Sequence, residues 1–199
     1  MFRYLLSCAI IFVLILGSAT FFFPSYWEHR FDELITRQAR VYRLDEKLVW
    51  SLIYEETWFR PWLVGTDAEV GLMQVTPLVA REWAAQTGFK EFERQAAENV
   101  NDFLADPERN LQAGCWYLEK LRERYRGRPA ETSLTLAAYN AGASRVEEWT
   151  KNSDPATLSE SEFIGRITIA STKSYVVSIL DRYRRSSAAE TARADLGVR

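Results

Sequence analysis

The chain has 199 residues, 47% of them hydrophobic, with a formal net charge of −2 and an isoelectric point near 5.6. This balance fits one globular domain with a substantial core and shows no basic bias toward nucleic acid. A single histidine and two cysteines, Cys8 and Cys115, exclude Ser-His-Asp, Cys-His and His-rich metal chemistry, leaving carboxylates, hydroxyls and amides to do any chemistry.

Arg3 precedes a nearly unbroken apolar run from Tyr4 to Phe23. At 1.5 Å per residue a helix of that length reaches roughly 30 Å, the thickness of a bilayer's hydrocarbon core. Residues 1–23 therefore read as a transmembrane signal anchor. The competing reading is a signal peptide, with Gly17 and Ala19 as the small residues before a cut ahead of Thr20. Phe21, Phe22 and Phe23 carry the apolar run past that site and favour the anchor. Leu5 to Cys8 lies too near the N-terminus to serve as a lipoprotein signal. Under either reading the remainder is exported. Cys8 sits within the run, so an internal disulfide is not expected.

Residues 24–44 read as a stalk and first helix, with Phe31, Leu34, Ile35 and Val41 on the apolar side of a helix over 28–43. Asp45 is the cap of the next helix, on which Leu48, Val49, Leu52 and Ile53 form one stripe. Glu56 falls in the middle of that stripe. A carboxylate there is costly unless paired or needed. It also lies in the last turn, where the helix dipole and burial both raise its pKa, as a general acid requires. A structural Glu held by an arginine is the competing reading.

Residues 61–71 lack periodicity and read as a loop. Thr76-Pro77 starts a helix that ends at Gly88, and Asp106-Pro107 starts another that runs to about Arg126. Glu131 to Ala141 is a helix closed by Gly142, and Ser171 to Arg185 is the last. No segment alternates as a strand, so the class is all-α. Residues 45–185 form the expected catalytic domain, and 186–199, small and polar, a disordered tail.

Glu56-Thr57-Trp58-Phe59, Gly71-Leu72-Met73-Gln74 and Ala138-Tyr139-Asn140-Ala141-Gly142 stand in this order, with Asn110-Leu111 and Tyr117-Leu118 between. Together they resemble the SLT-type lytic transglycosylases, relatives of goose-type lysozyme, over about residues 41–183. The resemblance implies a lysozyme-like fold acting on peptidoglycan glycan strands, with no metal and no organic cofactor. Glu56 matches the single catalytic acid/base, and Tyr139 the tyrosine whose hydroxyl lies near it. Thr57 stands where the family usually has Ser. Met73 and Gln74 match residues lining the sugar cleft. Asn140 matches the next position of its motif, with a helix-end hydrogen bond as the alternative to a substrate contact. With the anchor, the implied location is the bacterial inner membrane, the domain facing the periplasm and cell wall, and a monomer is expected.

Two positions depart from the family pattern. Ala68-Glu69 replaces the usual Gly-Ala before the GLMQ stretch, and Ser171 replaces a glutamate that helps hold substrate or position the site. Among the aromatics, Phe59 reads as core, while Trp58 and Trp62 are open between core and sugar stacking. Two other functions compete with the transglycosylase reading. A lysozyme-like hydrolase would recruit Glu55, Asp67 or Glu69 as a second carboxylate. A membrane-tethered glycan binder would have no use for a buried proton donor.

Overall fold

The computed structural model describes residues 26–90, 92–96 and 99–195. Its helices are α1 (Asp32–Val41), α2 (Glu46–Thr57), α3 (Pro77–Thr87), α4 (Phe92–Ala96) and α5 (Val100–Ala105). They continue with α6 (Pro107–Tyr125), α7 (Glu131–Ala141), α8 (Ala143–Thr150), α9 (Glu160–Arg166) and α10 (Ala170–Asp195). Among the described residues the only extended pairing is two isolated bridges that join Val70 to Val64 and to Val75. The all-α class is therefore met.

Three of the long helices start where a side chain satisfies their first amides. Asp45 accepts from Lys47 N, Thr76 from Val79 N ahead of Pro77, and Asp106 from Arg109 N ahead of Pro107. Gly88 ends α3 in the left-handed conformation, where a residue without Cβ costs least. Helix α2 packs on α10, α7 packs on both α6 and α10, and α1 lies across α2 and α6. Leu48, Val49, Leu52 and Ile53 are all buried, which fixes α2 in the middle of the domain. Cys115 is buried and unpaired, and burial pushes its thiol pKa up.

Three expectations change. The first helix is shorter than 28–43, and Val41 is 64% exposed, while Ile35, Gln38 and Ala39 are its buried positions. The four short helices α4, α5, α8 and α9 were not foreseen. The expected disordered tail instead continues α10 as far as Asp195. Residues 186–195 are polar, but Ala, Glu and Arg propagate a helix that is already nucleated at little cost. Ser186 and Ser187 hydroxyls donate to the carbonyls of Arg182 and Tyr183, and Lys47 pairs with Glu190. No helix among the described residues is long and apolar enough to cross a membrane. The run at 4–23 expected to do so lies outside the described residues.

Candidate active site

Glu56 sits one residue before the end of α2, and Trp58 caps that end with φ 49° and ψ 48°. Phe59 follows at φ 59°. Two successive non-glycine residues in the left-handed region cost roughly 1–2 kcal/mol each, so neighbouring groups must hold the turn. Phe59 is fully buried. Trp27 Nε1 donates to the Trp58 carbonyl at 2.9 Å, and Arg30 donates to the Phe59 carbonyl. The segment before α1 thus braces the turn that aims Glu56.

The Glu56 carboxyl is half-buried and its pKa is pushed up to about 7. Burial is the main cause, the charges of Glu69 and Glu55 add to it, and a hydrogen bond from Tyr175 works against it. That bond, Tyr175 hydroxyl to Glu56 Oε1, is 2.6 Å long. Tyr175 comes from α10, 119 positions further along the chain. The Glu55 carboxylate is turned to another face, where Oε2 accepts from Ser178 at 2.6 Å and from Arg182 at 3.2 Å. An arginine does hold a glutamate here, but the glutamate it holds is Glu55 and not Glu56.

Tyr139 lies on α7, half-buried, and its hydroxyl donates to the Met73 carbonyl at 2.7 Å. Burial and the nearby Glu56 charge hold its pKa well above the ordinary value. The two catalytic candidates therefore share one environment, although the tyrosine bonded to the acid is Tyr175.

The four binding candidates divide. Thr57 is 1% exposed, and its hydroxyl donates to the Leu72 carbonyl at 3.0 Å. It ties α2 to the GLMQ turn and offers no surface to a sugar. Met73 is wholly buried, its sulfur against Cys115 and its side chain filling the space left by Gly114. The cleft-lining role implied for its side chain does not fit that burial. Gln74 is half-buried, and its amide donates to the carbonyls of Gly71 and Leu63, so its oxygen is what it can offer a ligand. Asn140 is exposed, and its Oδ1 accepts from Thr172 at 2.7 Å, joining the end of α7 to α10. This is the helix-end bond weighed against substrate contact, with the amide nitrogen still available.

The turn from Gly71 to Gln74 is held by Asn110, a buried residue that the sequence shows only as one member of the motif set. Asn110 Oδ1 accepts from Met73 N at 2.8 Å, while Nδ2 donates to the carbonyls of Val70 and Leu104. A Cβ at Gly71 would strike the Asn110 amide and stand 2.6 Å from the Leu104 carbonyl, and its φ of 78° also favours glycine.

In the preceding loop, Ala68 has φ 61°, which explains why glycine suits that position. Glu69 folds back to accept from Asp67 N at 2.7 Å. Ser171 is exposed at the start of α10. Trp58 and Trp62 are 42% and 59% exposed. A separate depression of about 250 Å³, lined by His29, Asp32, Lys47, Trp50 and others, does not include Glu56. Among the described residues no group of His, Cys, Asp and Glu is placed to hold a metal ion.

Residues 33–161 match the transglycosylase SLT domain family. A membrane-bound lytic murein transglycosylase C of Glaesserella parasuis is 32% identical over 122 residues, covering 59% of this chain and 32% of that protein. Its counterpart in Yersinia pestis is 29% identical, covering 59% and 33%. The chain thus spans about a third of the length of these relatives.

Among solved structures, the lytic transglycosylase Slt of Pseudomonas aeruginosa superposes with a TM-score of 0.65 at 22% identity, covering 86% of this chain and 25% of that one. The 70 kDa soluble lytic transglycosylase of Escherichia coli gives 0.65 at 22%, covering 79% and 24%. At that identity the likeness speaks for the fold, an all-α lysozyme-like domain. The matched stretch starts at residue 33, within α1, and ends at residue 161. By the extent of that match, the chain belongs to the transglycosylase SLT domain family.

Proposed function

We propose that the domain is a peptidoglycan lytic transglycosylase that cleaves the β-1,4 bond from N-acetylmuramic acid to N-acetylglucosamine without water. The observation that carries the reading is Glu56, a half-buried carboxyl with a pKa near 7 at the bonded end of α2. Near neutral pH such a group can give a proton and take one back. As acid, Glu56 protonates the oxygen between the two sugars. The developing positive charge at C1 is offset by the substrate's own N-acetyl group and by dipoles of the cleft. As base, Glu56 then takes the proton of the muramyl 6-hydroxyl, which closes on C1 to leave a 1,6-anhydro end. Tyr175 orients the carboxyl. Tyr139 fixes the Met73 carbonyl beside it, and Gln74 and Asn140 are the polar groups offered to the glycan. The names of the curated relatives, membrane-bound lytic murein transglycosylases, support the same reading.

A second reading, a lysozyme-like hydrolase, is favoured by one observation: the charge of Glu69 acts on Glu56. A second carboxylate near the acid is what water activation would use.

The proposed organisation is an anchor at 1–23 in the inner membrane, a link at 24–32, and a periplasmic catalytic domain reaching the end of α10. It acts as a monomer on glycan strands. Glu56→Gln, nearly isosteric, should keep the circular dichroism spectrum and lose release of soluble fragments from purified sacculi by several orders of magnitude. A folded variant with substantial turnover would overturn the assignment.

A further inference from the structure

We propose that Trp27, Trp58 and Trp62 form a docking face that rests in the headgroup layer of the same bilayer that residues 4–23 enter. The three indoles make one cluster: the ring of Trp27 lies 6.2 Å from Trp58 and 5.7 Å from Trp62, centre to centre. Arg30 stacks on Trp27 at 3.5 Å and bonds to the Phe59 carbonyl, which locks the cluster to the end of α2. Part of this face is nonetheless exposed to solvent. Trp58 is 42%, Trp62 59% and the adjoining Tyr26 68% exposed. Large aromatics left outside a core, with their rings already ordered, are ready for an occupant at little entropic cost.

Chain length identifies that occupant. Only Pro24 and Ser25 separate Phe23, the end of the apolar run, from Tyr26. Three residue steps span at most about 10 Å, and Trp58 and Trp62 are one ring contact beyond Trp27. The cluster is therefore tethered within roughly 20 Å of the run's end, whatever path the link takes. The headgroup region begins at that end and is where Trp and Tyr partition, apolar body inward and N–H or O–H toward water. Docking would also place Glu56, two residues before Trp58, close to the headgroups. The glycan within its reach is then the membrane-proximal layer of the wall. The inference rests on the anchor reading of residues 4–23.

The test uses the full chain in phosphatidylethanolamine–phosphatidylglycerol vesicles whose acyl chains carry bromine next to the headgroup, a short-range quencher of indole emission. The comparison variant is W58F/W62F, which keeps two aromatic rings at the face and removes only the two indoles from the signal. Vesicle flotation after alkaline carbonate first reports whether the chain is embedded. With embedded protein, the brominated lipid should quench a clearly larger share of emission in the wild type than in W58F/W62F. Equal shares in embedded protein would overturn the docking face and leave the anchor standing. Protein released by carbonate would overturn the anchor and the docking face together. If bromine has no effect while soluble chitooligosaccharide shifts the wild-type emission and not the variant's, the cluster is a sugar platform and membrane docking is refuted.

Discussion

The Tyr175 hydroxyl donates a 2.6 Å hydrogen bond to Glu56 Oε1, linking α2 to α10 across 119 positions of sequence. Two effects meet on this carboxyl with opposite sign. Burial disfavours the charged form and the bond favours it, and burial prevails, giving a pKa of about 7.

Tyr175→Phe removes the opposing effect. A hydrogen bond to a charged group is worth about 1.5–3 kcal/mol, so the pKa of Glu56 should rise by roughly one unit or more. The alkaline limb of the pH–rate profile should move up accordingly. Turnover at the optimum should fall about tenfold or more as the carboxyl loses its fixed orientation. A fall in rate with an unmoved limb would show that Tyr175 acts only through packing.

Glu69→Gln should move the same limb the other way. The negative charge of Glu69 raises the pKa of Glu56, so neutralising it lowers that pKa and ends activity at a lower pH. The opposite signs of the two shifts make the pair informative, because general loosening of the site would not split them.

Glu56→Gln carries a stability signature as well as a loss of activity. The carboxyl's ordinary pKa is 4.5 and its folded value about 7. Below 4.5 it is protonated both folded and unfolded, and costs nothing. Above 4.5 the unfolded chain ionises first, and stability falls until the folded group also ionises near 7. Above 7 the cost is constant, on the order of 3 kcal/mol. The amide has no such cost and keeps an acceptor for Tyr175. Urea unfolding should therefore show the variant more stable than wild type at pH 8 and nearly equal to it at pH 4.

The features legible in the sequence were local ones. Asp45, Thr76-Pro77 and Asp106-Pro107 announced helix starts because a cap acts within three residues. The stripe of Leu48, Val49, Leu52 and Ile53 announced the buried face carrying Glu56 because helical period alone sets it. What escaped was either too short or too distant. Helices α4, α5, α8 and α9 have five to eight residues, too few turns for a period to stand out. Tyr175 reaches Glu56 only through the packing of α10 on α2. Met73 shows a third limit. Its position in the GLMQ stretch points to the cleft, while its side chain is buried and its backbone carbonyl receives the Tyr139 hydroxyl.

In the sequence Asn110 is legible only as one member of the motif set, and it should prove among the least replaceable polar residues. Fully buried, its amide serves three backbone groups around the GLMQ turn. Asn110→Ala strands them without water, at a cost of about 3 kcal/mol or more. Urea denaturation should show a large drop in midpoint with an unchanged slope. Gly71→Ala should fare no better, since its methyl would strike the same amide.

Reaction class is decided by what attacks C1 after Glu56 has given up its proton, which neither the acid nor its tyrosine reveals. An inverting hydrolase needs a second carboxylate with room for water, and a retaining one needs it closer, as nucleophile. The three acidic candidates for that role are differently engaged. Glu55 is turned to Ser178 and Arg182. Asp67 is an exposed loop residue, and the Glu69 carboxylate accepts from the Asp67 amide in its own loop. The charge of Glu69 reaches Glu56, but the carboxylate is held by that turn. The muramyl 6-hydroxyl, by contrast, belongs to the bound sugar itself and is present at high effective concentration beside C1. It should win. Glycan strands digested in heavy-oxygen water should therefore yield 1,6-anhydromuramyl ends free of solvent oxygen, read by mass spectrometry. Predominant labelled reducing ends would make the domain a hydrolase, and Glu69→Gln should then abolish turnover rather than shift its pH profile.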